Sequence, residues 1–454
     1  NAVGSRISGN RISRSAGITQ DKAPSDVAQM RNYLDARFYA IDVEAAQCEV
    51  CGNQIDLLST AWGGIRASGN HVVIAANFME AIVPKGQLTV PVGIYCLADA
   101  KNGHAADHVV VRDNQLLGPQ LGIVTSRITC PTVVGNHIDG GGTGWYGVRV
   151  DDCSDSRIDN NDLREVFFAV HLSEGERNRI TGNCIEQAGT GITATQETNL
   201  ESSGNRLQSC LLLGMAMFVR GTTALLENRV LNCGYAPNFS MGIGVYAEEI
   251  LTPSGAHLRI ENCEVADTGI SADGNQVTTG NAVGIGGWMP ACQINGNRVG
   301  YTQLAKLELL NEHRALLLIG PLALHYLVGA GEIAYMFGSA QVNNNHFSGP
   351  GRTHLVEFMR IVITDNIDLR FEKVTFNNNI CDHFSAEANP RGASVRLWGG
   401  HLIAMGNHVK AAVNVNAMSL ANSSAALMGN ITTGDYTGTN KVTPLQFNNF
   451  NVKI

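Results

Sequence analysis

Polar and apolar residues alternate in short runs along most of the chain, and turn residues separate the runs. Clear examples are "YGVRVDD" at 146–152, "SRIDNND" at 156–162 and "FFAVHL" at 167–172. Alternation over four to six residues, bounded by Gly, Asn, Asp and Ser, predicts β-strands. Helical repeats would need apolar residues at a spacing of 3.6, which these runs do not show.

A short phrase recurs between the strands, and it consists of a small residue, Gly, Asn, any residue and an aliphatic residue. It reads "TGNCI" at 181–185 and "SGNRL" at 203–207, so its Asn residues are 22 positions apart. Near Asn262 the phrase is blurred, and Cys263 takes the Asn position. The Asn residues assigned to the phrase are Asn10, Asn53, Asn70, Asn114, Asn136, Asn161, Asn183, Asn205, Asn228, Asn297, Asn345, Asn378, Asn407 and Asn430.

A period in the low twenties indicates a solenoid, in which each repeat buries its apolar face against its neighbours. About 22 residues suit one coil of three short strands and their turns. Asn tolerates the left-handed conformation of a sharp turn, and stacked Asn amides form hydrogen-bonded ladders. We therefore predict a structural asparagine ladder. The pattern resembles the right-handed parallel β-helix of the pectate-lyase-like superfamily, an all-β fold, and the resemblance extends to no catalytic motif.

The chain is predicted to form a single domain over residues 1–454. A short helix is expected within 21–37, an irregular apolar insertion at 301–341 and a closing segment at 431–454. Segment 315–337 is long enough to span a bilayer, but it contains Pro, His and Glu, so buried strands are expected and no membrane span. Because residues 1–12 already contain the Asn phrase, the chain is expected to begin inside a repeat.

Composition adds two constraints. The net charge of −8 disfavours nucleic acid as a partner, since nucleic acids select a basic surface. The eleven Cys include one isolated C-x-x-C, Cys48 and Cys51, which supports structural zinc only weakly. Cys210 and Cys233 are expected to stack as free buried thiols, and the redox compartment stays open.

Sequence spacing also indicates which side chains share the outer surface, because residues at one register position of successive coils lie about 4.8 Å apart. Arg149, His171 and Thr193 each lie twelve residues before a ladder Asn. Val124 at the preceding position limits this polar patch on one side. The candidate catalytic residues are Arg149, Asp151, His171 and Glu174. The candidate substrate-binding residues are Tyr95, Trp145, Asp152 and Ser173, and the loop 101–107 is expected to overhang the border of the patch.

These residues support two interpretations. In the first, Arg149 holds a uronate carboxylate, His171 acts as a base, and the carboxylates serve acid catalysis or a metal. In the second, the patch is a solvated sheet surface with cross-coil ion pairs such as Arg149 with Glu174, each contributing less than about 1 kcal/mol. Residue types and spacing alone favour the second. Elsewhere, "DGGGTG" at 139–144 is expected to form a wide turn, and His354, His383 and His401 to be ordinary surface or turn residues.

We predict a non-catalytic rod at the cell surface or outside the cell, which serves adhesion, assembly or carbohydrate contact. The alternative is a polysaccharide lyase, epimerase or glycoside hydrolase that acts on acidic glycans. No cofactor and no metal are expected, except calcium under the lyase alternative. The expected partners are polysaccharide or other surface proteins, and another copy of the chain through the apolar segment 315–337.

Overall fold

Short strands follow one another along the chain, and each pairs in parallel with the equivalent strand of the next coil. Strand Arg157–Asp159, for example, pairs in parallel with Arg179–Thr181, whose residues lie 22 positions later. Three strands complete one turn before the chain returns to its parallel neighbour. This topology is that of a parallel β-helix and confirms the predicted fold class.

The computed structural model describes most of the chain, and its residues divide into two compact units, Asn1–Arg206 (unit 1) and Leu207–Ile454 (unit 2). The single domain predicted over 1–454 stays a prediction. The described residues are 4–13, 34, 39–57, 63–81, 91–98, 106–237, 239–247, 257–278, 281–289, 291–302, 315–319, 336–350, 354–358, 361–364, 367–384, 393–411, 416–433, 436–438, 445–447 and 450–451.

Each coil of unit 1 contributes three strands, one to each face of the β-helix. The strand before the ladder Asn lies in the pre-Asn face, the strand after it lies in the post-Asn face, and the third strand lies in the long face. The long face contains Tyr39–Val43, Gly63–Ala67, Val92–Leu97, Leu121–Ser126, the later parts of His137–Asp151 and Asp162–Ser173, and Thr190–Thr198. The pre-Asn face contains Arg6–Ser8, Glu49–Cys51, Val73–Ala75, Val110–Arg112, Thr132–Val134, Arg157–Asp159, Arg179–Thr181 and Glu201–Ser203. The post-Asn face contains Arg11–Ser13, Gln54–Asp56, Phe78–Glu80, Gln115–Leu117, the first parts of His137–Asp151 and Asp162–Ser173, Cys184–Glu186 and, at the unit boundary, Arg206–Gln208. A separate short pair joins Ala106–Asp107 to Ile128–Thr129.

Unit 2 has the same three faces. Its long face contains Leu213–Arg220, Phe239–Ala247, Asn281–Trp288, Ala315–Ile319, His354–Phe358, the first parts of Ala393–Met405 and Asn416–Met428, and Tyr436–Gly438. Its pre-Asn face contains Thr222–Leu226, His257–Glu261, Cys292–Asn295, Met336–Asn343, Ile367–Asn377, the later parts of Ala393–Met405 and Asn416–Met428, and Leu445–Phe447. Its post-Asn face contains Arg229–Leu231, Glu264–Ala266, Arg298–Gly300, His346–Gly349, Ile380–His383, His408–Lys410, Ile431–Thr433 and Phe450–Asn451. Strand Ile361–Thr364 pairs antiparallel with Ile367–Asn377.

The predicted asparagine ladder is present in unit 1, between the pre-Asn and post-Asn faces. Each side-chain Nδ2 donates to Oδ1 of the next Asn at 2.9–3.0 Å, and the same Oδ1 accepts the backbone N–H of the preceding Asn. Every buried amide is thereby hydrogen-bonded, as a dry interior requires. The members are Asn10, Asn53, Asn77, Asn114, Asn136, Asn161, Asn183 and Asn205.

Unit 2 continues the same device along Asn297, Asn345, Asn379, Asn407 and Asn430. Cys263 occupies the Asn position as predicted: its backbone N–H donates to Oδ1 of Asn297 at 2.9 Å, and its Sγ lies 3.5 Å from the Leu225 oxygen.

Two of the predicted ladder positions are wrong. Asn77, and not the exposed Asn70, is in the ladder, and Asn379 takes the place assigned to Asn378. The prediction that the ladder Asn itself has the left-handed conformation is also wrong. The residue before the ladder Asn has the left-handed conformation, as at Gly182 (φ 64°), which explains why Gly recurs there.

Apolar side chains stack in the interior of unit 1 at the same register position of successive coils. Ile94, Ile123, Val148, Val170 and Ile192 are neighbours in register and have essentially no exposed surface. Burying an aliphatic side chain of this size contributes about 1.5–3 kcal/mol, so the stack is a main source of stability.

Small residues form a column beside this stack. A Cβ at Gly93, Gly122 or Gly147 would lie less than 3 Å from the carbonyl oxygen of the equivalent residue in the next coil. A larger residue would therefore push neighbouring coils apart.

The predicted insertions have mixed outcomes. The helix predicted within 21–37 lies outside the described residues except for Leu34, which is helical and buried. Within the predicted insertion 301–341, residues 303–314 and 320–335 also lie outside them. Ala315–Ile319 and Met336–Asn343 are regular coil strands rather than an irregular insertion. In the closing segment, the described residues of Phe450–Asn451 pair in parallel with Ile431–Thr433.

Strand Ala315–Ile319 of the apolar segment 315–337 does not form an exposed interface. All five of its residues are buried among this chain's own strands, so they cannot make the predicted contact between copies. Residues 320–335 lie outside the described chain, and contact through the rest of the segment stays a prediction. Among the described residues, no helix is long and apolar enough to cross a membrane.

All eleven Cys are described and are free thiols. Cys210 and Cys233 are buried, as predicted, and neither forms a disulfide.

Replacing Asn161 by Ala should lower the unfolding free energy of the protein by about 2–4 kcal/mol. The change removes a donor to Asn183 and an acceptor for Asn136, and it leaves buried amides without partners. Chemical denaturation followed by circular dichroism measures the loss. Arg157→Ala, at an exposed position of the same coil, should leave the midpoint nearly unchanged. Equal effects of the two changes would contradict a ladder that carries stability.

Candidate functional site

The long face of unit 1 brings the predicted polar residues into one column. Tyr95, Val124, Arg149, His171 and Thr193 are successive neighbours in register. The spacing argument is correct for this column, and Val124 is buried at its predicted apolar border.

Arg149 and Asp151 form an ion pair two residues apart on one strand. The guanidinium Nε lies 2.8 Å from Oδ2 and 3.1 Å from Oδ1 of the carboxylate. Only 4% of each side chain is exposed, so the face is not a solvated sheet surface here. Burying two charges is costly unless they pair, and the pair leaves the site with little net charge.

The predicted cross-coil pair of Arg149 with Glu174 is wrong. Glu174 is exposed at a corner where its backbone is left-handed (φ 58°), and Arg149 pairs along its own strand instead. Asp152 is exposed at the equivalent corner of the preceding coil (φ 52°). Neither carboxylate therefore joins the buried pair.

Aromatic rings enclose the ion pair. The Arg149 guanidinium carbon lies 4.8 Å from the centre of the Tyr146 ring, within the range of a cation–π contact. Tyr146 stacks on Phe168 at 5.2 Å, and the His171 ring is tilted against Tyr146 at 5.4 Å and against Phe168 at 5.7 Å. Arg149 and His171 are thus held in fixed orientations.

Several buried polar atoms at this place have no hydrogen-bond partner among the described residues. They are Nη2 of Arg149, Nδ1 of His171, Oγ1 of Thr193 and Oγ of Ser126. Ser126 is the register neighbour of Asp151, and Thr193 that of His171. Buried polar groups of this kind are ordinarily satisfied by another polar atom or by an ordered water.

His171 is neutral at physiological pH. Burial lowers the pKa of its imidazole to about 4, and the positive charge of Arg149 acts in the same direction. Burial also raises the pKa of Tyr146. The site therefore offers neutral hydrogen-bonding groups around one compensated ion pair.

Two large aromatic side chains are exposed beside this cluster. Trp145 is 42% exposed and stacks against Tyr146, with ring centres 6.4 Å apart and planes within 6°. Phe167 is 43% exposed and meets Phe168 edge-on.

The "DGGGTG" segment explains the position of Trp145. It is a bulge inside strand His137–Asp151, where the pairing with the next coil is interrupted between Asp139 and Gly144. Gly141 and Gly142 have left-handed conformations there, and the Gly141 N–H donates to Asp139. The bulge explains why this coil has 25 residues, and Trp145 follows it directly.

Two predicted substrate-binding residues are buried. Tyr95 is fully buried in an apolar cluster with Leu34, Leu121 and Val124, so its assignment to substrate is wrong. Leu34 packs on this part of the long face. Ser173 is also buried, next to Asp151 in register.

Sequence reasoning missed the aromatic members of the site. Tyr146 and Phe168 are 22 residues apart, so the ladder period would have placed them together had apolar positions been counted as well. It also missed Glu197, a buried carboxylate that accepts hydrogen bonds from the Gly175 N–H and from Asn178. Burial raises the pKa of Glu197 to about 7.

The histidines of unit 2 differ from their prediction. His354 and His383 are buried and do not lie on the surface. Their Nδ1 atoms lie 2.8 and 2.9 Å from the carbonyl oxygens of Ala393 and Pro350. Burial lowers the pKa of His383 to about 4. His401 is exposed, as expected, with its Nδ1 at 2.6 Å from Ser424.

A group of side chains with metal-ligating atoms lies at a different corner of unit 1. Asp107, His108 and Cys130 each offer one ligand atom, and these atoms lie within 4.8 Å of one another. Nδ1 of His108 is 2.7 Å from the Asp107 carboxylate.

Comparison with protein families supports the fold. The family described as "Right handed beta helix region" matches residues 121–299, and "Periplasmic copper-binding protein (NosD)" matches residues 3–209. Each match covers less than half of the chain. With the observed topology, they define the chain as a right-handed parallel β-helix protein. The comparison with curated protein sequences gives no match.

Several solved structures have a similar backbone path, and they belong to proteins described as having different functions. The mannuronan C-5 epimerase AlgE6 A-module of Azotobacter vinelandii has 9% identity and a TM-score of 0.46, covering 95% of this chain and 97% of that one. The surface adhesin PfbA of Streptococcus pneumoniae has 8% identity and a TM-score of 0.40, with 83% of each chain covered. The tailspike of E. coli bacteriophage HK620, in complex with a pentasaccharide, has 9% identity and a TM-score of 0.40, covering 88% and 72%. These similarities are too low to support a functional argument.

The imidazole of His171 should titrate near pH 4 in the folded protein, well below the usual 6.5. NMR titration of the His ring protons, with His171→Gln to assign the signal, measures this pKa. Because the pKa of His171 is lower in the folded than in the unfolded protein, the unfolded chain binds a proton that the folded site does not. The contribution of His171 to the free energy of unfolding is therefore fully present above pH 6.5 and is lost as the pH falls toward 4. The stability difference between wild type and His171→Gln should narrow across that window. A His171 pKa near 6.5 would contradict the buried site.

Proposed function

We propose that this protein is a non-catalytic β-helix that binds carbohydrate on the long face of unit 1. The observation that carries the proposal is the pair of exposed aromatic rings, Trp145 and Phe167, beside the polar column of Arg149, His171 and Thr193. Sugars present hydroxyl groups at their edges and apolar C–H faces, and this surface offers partners for both.

The charge of the site suggests which sugars it would bind. The positive charge of Arg149 is already compensated by Asp151, at 2.8 Å. A uronate would therefore bring a second negative charge close to the Asp151 carboxylate. We infer that a neutral sugar suits this surface better than a uronate does.

The geometry favours binding over catalysis. Asp151 is engaged by Arg149, and Glu174 is exposed at a corner, so these two predicted catalytic carboxylates do not flank a common point. A general base works best when its pKa is near the working pH, and the pKa of His171 is about 4.

The enzyme alternative has one observation in its favour. A neutral imidazole lies beside an arginine and a tyrosine, at His171, Arg149 and Tyr146, and such groups serve proton transfer in many active sites. Under this alternative the protein would be a lyase, epimerase or hydrolase of acidic glycans, with calcium as the metal then considered.

The description of the NosD family also bears on location and metal. It names the periplasm, and we propose a location outside the cytoplasm, in the periplasm or at the cell surface. It names copper as well. Carbohydrate binding as proposed requires no metal, and the described donors that would suit a copper ion, Asp107, His108 and Cys130, lie at another corner.

Trp145→Ala and Phe167→Ala should each weaken binding to a responsive glycan by about fivefold or more, because each change removes an exposed ring from the surface. A glycan array with neutral and acidic polysaccharides finds the ligand, and isothermal titration then measures the affinity. Phe384→Ala, at an exposed Phe of unit 2, is the matched control and should bind like wild type. Absence of binding to any glycan, or equal losses in all three variants, would contradict the proposal.

Turnover distinguishes the enzyme alternative. The binding proposal predicts that wild-type protein, with or without calcium, yields no unsaturated product, no new reducing ends and no epimerised residues from neutral or acidic glycans. Turnover that is present in wild type and absent in His171→Gln, with the thermal transition retained, would establish the alternative instead.

A further inference from the structure

A column of corner residues runs along unit 1 between its long face and its pre-Asn face. His71, His108 and Cys130 occupy this corner in successive coils, and the backbone N–H of each donates to the next coil. All three have left-handed backbones, with φ of 56°, 53° and 56°. Asn, Asp and His adopt this conformation more readily than other residues with a side chain, and the coil repeat stacks these side chains above one another.

Three different metal-ligating groups meet in this column. Ligand atoms of Asp107, His108 and Cys130 lie within 4.8 Å of one another, a span that small side-chain rotations reduce to the dimensions of a metal site. The His108 and His71 rings stack at 5.2 Å, which restrains the plane of the His108 ring.

The Asp107 carboxylate lies against the His108 ring. Its Oδ1 is 2.7 Å from the His108 Nδ1, but this buried oxygen accepts no hydrogen bond from the described residues. A cation bound here would give that oxygen a partner.

The electrostatic environment favours a cation. Asp155 and Asp107 place negative charge beside the Cys130 thiol. Arg177 opposes them, but its guanidinium is hydrogen-bonded to Asp155 at 2.8 Å. A bound cation would compensate these carboxylates and release the thiol proton to solvent.

We propose that Cys130, His108 and Asp107 form a binding site for one thiophilic transition-metal ion, of the class to which Cu(I) and Zn(II) belong. A thiolate with an imidazole is a donor set that such ions prefer, whereas Ca²⁺ and Mg²⁺ require oxygen ligands. The site is independent of the carbohydrate surface, and neither proposal requires the other.

The test is metal titration of the reduced full-length protein. Cu(I) is added anaerobically in competition with a chromophoric chelator, and in a separate arm Zn(II) binding is followed by calorimetry, with Co(II) absorption as a probe of thiolate ligation. Wild type should bind one equivalent of at least one of these ions. Cys130→Ser and His108→Asn should weaken that binding by at least about tenfold. Asn is chosen because it tolerates the left-handed corner.

Cys184→Ser is the matched control, because Cys184 is the other thiol that is not fully buried. It should bind the metal like wild type. Circular dichroism verifies the fold of each variant. If Cys130→Ser is misfolded, the metal affinity of folded His108→Asn tests the proposal. The proposal is overturned if wild type binds neither Cu(I) nor Zn(II), if Cys184→Ser loses as much affinity as Cys130→Ser, or if folded His108→Asn binds like wild type.

Discussion

The hydrogen bond from one ladder amide to the next fixes how neighbouring coils align within each unit. In unit 1, Asn161 accepts from Asn136, donates to Asn183 and also donates to the carbonyl of Val133. A slip of one residue would break these contacts and move every apolar side chain to the wrong side of its strand. The ladder thus maintains the register on which the interior stacks and the outer columns both depend.

The functional surfaces of unit 1 follow from this register. On the long face, the alignment places Arg149 beside His171, and Tyr146 beside Phe168, so that groups 22 residues apart become one cluster. At the corner, the same alignment stacks His108 on Cys130. Neither cluster requires a dedicated loop, whereas the position of Trp145 depends on the Gly-rich bulge before it. In a solenoid, chemistry is added by changing single positions of a coil while the buried stack stays unchanged.

Much of the architecture could be predicted from the sequence because it is periodic. The Asn phrase indicated the coil, and counting from it correctly paired Arg149 with His171. The errors occurred where the period was irregular or where partners lie outside it. Asn70 matches the sequence phrase, but Asn77 is the ladder residue, because it directly precedes the post-Asn strand Phe78–Glu80. Arg149 pairs within its own strand, which spacing between coils does not reveal. The burial of Tyr95 depends on Leu34, which belongs to an insertion with no repeat to locate it.

Cross-linking between coils tests the fixed register most directly. Arg157 and Arg179 are exposed register neighbours on the pre-Asn face, and Glu201 is the next member of the same column. On mild oxidation, the double variant Arg157→Cys with Arg179→Cys should form a disulfide that peptide mapping detects. Arg157→Cys with Glu201→Cys, two coils apart, should not, because about 9.6 Å between their backbones exceeds the reach of a disulfide. The reverse result would contradict the coil register from which both proposed sites are derived.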